Sequence, residues 1–298
     1  MRKTSAALAA LALSAVALSG CSAAPTFAGA TCDRTGSANG IDEDVTVSGD
    51  LGSVPELELI GPLKTEQVSF FDAEVGDGDP LVDPNQVFVG GFAMYSGTTG
   101  EMIQNVGFDG QGQLFTISTI EQGLQGVDLT KALECATGGS RVVVAAPASK
   151  KGDSVIAVFD IESTMLSRAE GSDVFNNARG IPTVVRNPSD GRPGIIIPDG
   201  DAPTKTVTET LIAGEGDVVG DAQPFFAYTA VGWNDREVAE SSWGKLPEAD
   251  LSKLPQQVAD AVKAATVGSQ VLVVVPGEGD AQAVAYVVDI LGSVPASN

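Results

Sequence analysis

The feature that most constrains this chain is an internal duplication. GSRVVVAAP at 139–147 returns as GSQVLVVVP at 268–276, and VIAVFDI at 155–161 returns as VAYVVDI at 284–290, both at an offset of 129. Earlier, PELEL at 55–59 matches PGIII at 193–197, and GDGD at 76–79 matches GEGD at 214–217, both at an offset of 138. Matches that keep their order at stable offsets mean one structural unit built twice. The lower offset through the second half of each copy places longer loops in the first copy. The chain of 298 residues therefore divides into a leader at 1–20, a tether at 21–44, a first unit at 45–163, a join at 164–180 and a second unit at 181–298. The join carries Arg168, Glu170, Gly171, Asn176 and Asn177, and residues 181–186 read as the opening strand of the second copy.

Each copy reads mostly as strands. The runs 142–145, 155–161, 271–275 and 284–291 are short, rich in β-branched residues and bounded by Gly, Pro or Asp. One helix per copy follows from apolar spacing. Leu129, Ala132, Leu133 and Ala136 share a face within 128–137, as do Leu254, Val258, Ala261, Val262 and Ala265 within 254–265. Each copy is then a twisted antiparallel sheet with one amphipathic helix packed on it, an α+β unit. The 35 glycines, 16 prolines and 5% aromatic content agree with a turn-rich β protein.

Charge and composition exclude several functions. With 17 Lys+Arg against 39 Asp+Glu, the net charge is −22, and nothing here neutralises a run of nucleic-acid phosphates. Histidine is absent, which removes Ser-His-Asp and Cys-His catalysis and most zinc sites. The acidic turns at 76–79 and 214–217 lack the spaced ligands and closing glutamate of a calcium loop and read as solvated turns. No metal and no cofactor is expected.

The N-terminus reads as an address. Arg2 and Lys3 precede an apolar run at 6–18, which is shorter than the ~20 residues a spanning helix needs. Leu18-Ser-Gly-Cys21 resembles the lipobox of bacterial lipoproteins, and the resemblance implies cleavage before Cys21 and lipid on that residue. Several acyl chains would anchor stably. Losing Arg2 and Lys3 leaves 15 basic against 39 acidic residues, a charge of −24, which holds the body away from anionic headgroups. Contact with the membrane is then through the lipid alone, on the extracytoplasmic side. Of the three cysteines, Cys32 and Cys135 remain inside the body. Outside the cytoplasm such a pair is expected to form a disulfide, the alternative being two free thiols.

The ordered set of segments in each copy resembles an FKBP-type peptidyl-prolyl cis-trans isomerase domain. The second copy carries the resemblance best. FFAYTAVGWNDREVAESSW at 225–243 is similar to the family's Tyr-Thr-Gly…Phe-Asp-Ser-Ser strand and turn. VGSQVLVVVP at 267–276 is similar to the strand that leads to Ile-Pro-Pro, and YVVDIL at 286–291 to the closing strand. The resemblance implies two FKBP-like domains, each a twisted antiparallel sheet wrapped on one short helix. It implies rotation of X-Pro bonds in exported proteins, with proline-containing segments as partners. Such chemistry needs no nucleophile or metal, because the ~18–20 kcal/mol barrier is lost resonance. A dry pocket favours the less charge-separated twisted amide.

Carried residue by residue, the resemblance makes Tyr228, Glu240 and Tyr286 the catalytic candidates. The tryptophan floor of the family's pocket falls on Val258, and on Leu129 in the first copy, where an ordinary core role is the alternative. Trp233 and Trp243 either flank the pocket or cover a sheet edge. In the first copy Phe92 answers Tyr228, Gln104 answers Glu240 and Ala157 answers Tyr286, so that copy is degenerate. A non-catalytic pair of peptide-binding modules is the other function consistent with this pattern.

Overall fold

The computed structural model describes residues 26–295 except 28–29, 33, 35, 37, 109–111, 125–126, 149–153, 176–177, 189 and 280. Cys21 and the leader lie outside the described residues. The chain is mostly β, with few helices. The strands in order are β1 Thr26–Phe27, β2 Ala30–Thr31, β3 Val45–Ser48, β4 Glu56–Leu59, β5 Ser69–Glu74, β6 Phe88–Ser96, β7 Met102–Val106, β8 Gln113–Phe115, β9 Ser140–Pro147 and β10 Ser154–Thr164. They continue with β11 Gly171–Asp173, β12 Thr183–Arg186, β13 Pro193–Ile196, β14 Val207–Gly214, β15 Gln223–Gly232, β16 Val238–Ser241, β17 Gln270–Val275 and β18 Val284–Val294. The helices are α1 Ile41–Asp44, α2 Ile117–Gly123, α3 Thr130–Leu133 and α4 Gln256–Ala264. None of them is long and apolar enough to cross a membrane.

Two six-stranded sheets share one order over five strands and differ in where the sixth is added. The first runs β5-β9-β10-β6-β7, with β8 also on β6, and the second runs β11-β14-β17-β18-β15-β16. Irregularities repeat at equivalent places. The shift between Asp72 and Glu74 on β5 returns between Thr210 and Ile212 on β14. That between Ile161 and Ser163 returns between Ile290 and Gly292, and that between Gln104 and Met102 returns between Glu240 and Val238.

A side-chain knot also recurs. Thr137 Oγ1 donates to the Gly76 carbonyl at 2.7 Å, and Ser140 Oγ accepts from Gly76 N–H at 2.9 Å. Thr266 Oγ1 donates to the Gly214 carbonyl at 2.8 Å, and Ser269 Oγ accepts from Gly214 N–H at 3.0 Å. A Cβ on Gly76 or Gly214 would sit 2.0 or 2.2 Å from a carbonyl oxygen of the same knot, so glycine is required there. This explains why the Gly-acid-Gly-Asp turns recur.

Each sheet is covered on both faces. On one face of the second sheet, α4 buries Val258 and Val262 against Phe226, Val271, Val273 and Ile290. On the other, the β12–β13 hairpin packs Val184 and Ile195 against Val231, Leu272, Val274 and Val287. The first sheet has α2 and α3 on one face and the β3–β4 hairpin on the other. Alternation along the strands sends neighbouring residues to opposite layers.

Three sequence expectations are corrected. The helix at 128–137 is only Thr130–Leu133, because Cys135 takes the left-handed conformation (φ 61°) and its N–H turns to the Leu81 carbonyl. The first half carries a further helix, α2, closed by a Thr116–Thr119 capping box, so one helix per copy is not the pattern. The stretch read as a tether is fastened to the first sheet at several of its described residues. Phe27 is buried, Arg34 grips Asp72 at 2.6 Å and the Ala132 and Glu134 carbonyls, and Ile41 lies in the core. The expected Cys32–Cys135 disulfide is present and holds this stretch to the end of α3. In the join, Gly171–Asp173 pairs with β14 as the edge strand of the second sheet.

Candidate functional site

Strand register gathers three of the candidates on the helix-bearing face of the second sheet. Ala230 on β15 lies opposite Tyr286 on β18 and opposite Glu240 on β16. Tyr228 is two residues from Ala230 and shares its face. The Tyr228 and Tyr286 rings are 6.5 Å apart, and Phe226 lies 6.2 Å from Tyr228 on the other side. Ser242 clamps the backbone beneath: its Oγ accepts from Tyr228 N–H at 2.9 Å, and its own N–H donates to the Tyr228 carbonyl at 3.0 Å. Sequence reasoning missed Ser242, although the Ser-Ser pair after Glu240 is the signal that points to it.

The electrostatics of the cluster centre on Glu240. Burial, and then hydrogen bonding to the Glu240 carboxylate, hold the Tyr228 hydroxyl protonated well above its ordinary range. Burial and the same carboxylate push Tyr286 up as well. Tyr228 is 4% exposed, Tyr286 is half-buried and Glu240 is exposed, so the cluster grades from core to solvent. The neighbouring acid, Glu248, is bound to Lys253 at 2.9 Å.

The substrate-contact candidates separate. Val258 is fully buried (0% exposed), as is Leu129 (1%) in the first half, and both are core residues that present no surface to a ligand. Trp233 is five residues from Tyr228 and points to the other face. It packs with the hairpin core and donates its Nε1–H to the Gly200 carbonyl at 3.1 Å. Trp243 follows β16 and is half-buried, with its Nε1 buried and without a hydrogen-bond partner. The matching place in the first half is filled by phenylalanines: Phe92 stacks on Phe159 at 5.8 Å and meets Phe115 edge-on at 5.9 Å. Among the described residues no group of three or more acidic or cysteine side chains is placed to hold a metal ion.

No protein-family profile matches the chain. No curated protein matches it either. Among solved structures it is similar to the crystal structure of the three FKBP domains of wheat FKBP73. The identity is 13%, over 78% of this chain and 99% of that one, with a TM-score of 0.30.

Proposed function

We propose that the chain is an exported protein, lipid-anchored through Cys21, whose second unit at 181–298 is an FKBP-type module that binds proline-containing segments of exported proteins and turns their X-Pro bonds. The observation that carries this reading is the convergence of Tyr228, Glu240 and Tyr286 around Ala230 on the face that holds α4. The half-buried Tyr286 ring offers an apolar wall for a pyrrolidine ring. The Tyr228 hydroxyl, kept protonated by burial and by its bond to Glu240, donates to a peptide carbonyl when it turns from that carboxylate. A twisted amide is less polar than a planar one, so a desolvated wall lowers the barrier. Uncatalysed exchange takes tens to hundreds of seconds, slow enough for modest catalysis to matter.

A second reading, binding without turnover, is favoured by one observation. Val258 shows no exposed surface and Tyr228 almost none, so the apolar floor is closed. A protease-coupled isomerisation assay on the chain from residue 21 onward decides between them. Acceleration that Tyr286→Ala removes supports the isomerase. Proline-peptide binding at the spontaneous isomerisation rate supports the binder. Neither binding nor acceleration overturns both.

A further inference from the structure

The two sheets treat one buried carboxylate differently. In the first, Asp160 on β10 lies opposite Arg141 on β9 and is paired with it. At the equivalent register in the second, Asp289 on β18 lies opposite Gln270 on β17. Asp289 is 1% exposed and Gln270 0%. Gln270 Nε2 donates to Oδ1 of Asp289 at 2.7 Å, and the Ala169 N–H donates to Oδ2 at 2.8 Å. Gln270 Oε1 is buried and has no hydrogen-bond partner.

The charged groups nearby do not pair with Asp289. Arg186 on β12 and Arg168 in the join face it from a distance. Arg186 is bound to Asp173 at 2.9 Å, and Arg168 lies 3.9 Å from Glu170. β13, β15 and β17 contribute no charged residue. A carboxylate with two neutral donors and no cation in contact is poorly compensated, and next to it an acceptor stands empty.

We propose that Asp289 and Gln270 form a proton-operated latch on the segment leading into the second sheet: one proton from solvent adds to the Asp289 carboxylate, and the new O–H donates to the stranded Gln270 Oε1. Both existing bonds stay in place, and the chain gains one positive charge. The Ala169 N–H held by the latch lies two residues before β11, so the latch fixes where the join enters the second sheet.

Burial pushes the Asp289 carboxyl up to about 6, against the opposing pull of its two hydrogen bonds and the distant arginines. An acid whose folded value is raised binds its proton more tightly folded than unfolded. Stability therefore rises as pH falls through about 6, and the gain is complete below the ordinary carboxylate range.

The test is calorimetric melting of the full chain at pH 8 and pH 5. The wild type is expected to gain melting temperature on acidification. Part of that gain is relief of general repulsion in a chain of charge −22, and the variants share it. Asp289→Asn, neutral at both pH values, is expected to show a clearly smaller gain. Gln270→Arg rebuilds the ion pair of the first sheet and is expected to raise stability at pH 8 and abolish the excess gain. Amide exchange at Ala169 gives a reading independent of the variants' folding: its protection, corrected for intrinsic rate, is expected to be higher at pH 5 than at pH 8. A wild-type gain retained in Asp289→Asn, or Ala169 protection indifferent to pH, overturns the latch.

Discussion

Arg141 and Asp160 meet in a two-pronged ion pair, Nε to Oδ1 and Nη2 to Oδ2, each at 2.7 Å, with 3% and 0% of their side chains exposed. The pair also organises the turn of the β3–β4 hairpin. Arg141 donates to the Gly49 carbonyl at 2.6 Å and the Asp50 carbonyl at 3.0 Å, and Asp160 accepts from Gly52 N–H at 2.8 Å. Truncating one partner strands the other. Arg141→Met is expected to cost about 3–5 kcal/mol in chemical denaturation, and the double change with Asp160→Leu to recover much of it. A double variant no better than the single would show that the hairpin contacts, rather than the stranded charge, carry the cost.

The Cys32–Cys135 bridge closes a loop of sequence separation 103. Its reduction is expected to remove about 2–4 kcal/mol. The loss should be read as a fall in melting temperature, with earlier proteolytic cleavage before residue 45. An unchanged cleavage pattern would show that Arg34 and Phe27 hold the segment without help.

Gly268 sits at φ 89°, and a Cβ there would lie 2.5 Å from the Glu170 carbonyl oxygen. Gly268→Ala is expected to lose about 1–3 kcal/mol from backbone strain and more from the clash. Gly279 is the control. It also has positive φ (62°), but no atom lies within 4 Å of its Cβ position. Gly279→Ala should therefore cost only the conformational part, and equal losses at the two sites would refute the steric argument.

Tyr228 is held neutral by burial and by Glu240. An acid raised in the folded state contributes stability that is complete below its unfolded value, about 10 for tyrosine, and is lost as pH rises beyond it. Alkaline unfolding is expected to begin above about pH 10. Tyr228→Phe should move that midpoint upward while lowering any isomerase rate. A midpoint that does not move would assign alkaline unfolding to other groups.

Lipid attachment at Cys21 is part of the proposal and rests on the leader's resemblance to a lipobox. Cells expressing the full chain with a labelled fatty acid are expected to label it, and Cys21→Ala to abolish the label. Label retained in that variant would place the lipid elsewhere or refute the lipobox.

Much of the central sheet was legible because valine and isoleucine runs have few alternatives to buried strands. The runs 142–145, 155–161, 271–275 and 284–291 all lie inside β9, β10, β17 and β18. The helix in the second half was legible from the spacing of Val258 and Val262. What escaped had weak side-chain signatures. β11 is Gly-Ser-Asp and pairs through its backbone alone, so no hydrophobic pattern announces it. α2 has only Ile117 and Ile120 to mark its buried side. At the site, period-two alternation places Tyr228 and Ala230 together and rules out Trp233, an argument the sequence already contained. That Val258 is wholly enclosed depends on how α4 seats against Phe226 and Val273, which spacing along the chain does not encode.

The short strand in the join bears on how the molecule can be divided. A cut at residue 181, where the repeat begins, would discard Gly171–Asp173 and uncover the edge of β14 that they pair with as a bare rim. Such a rim invites a second molecule to stitch itself on. The repeat as written in the gene and the piece that can be safely excised are therefore offset from one another, and the duplicated half travels intact only with the ribbon that precedes it.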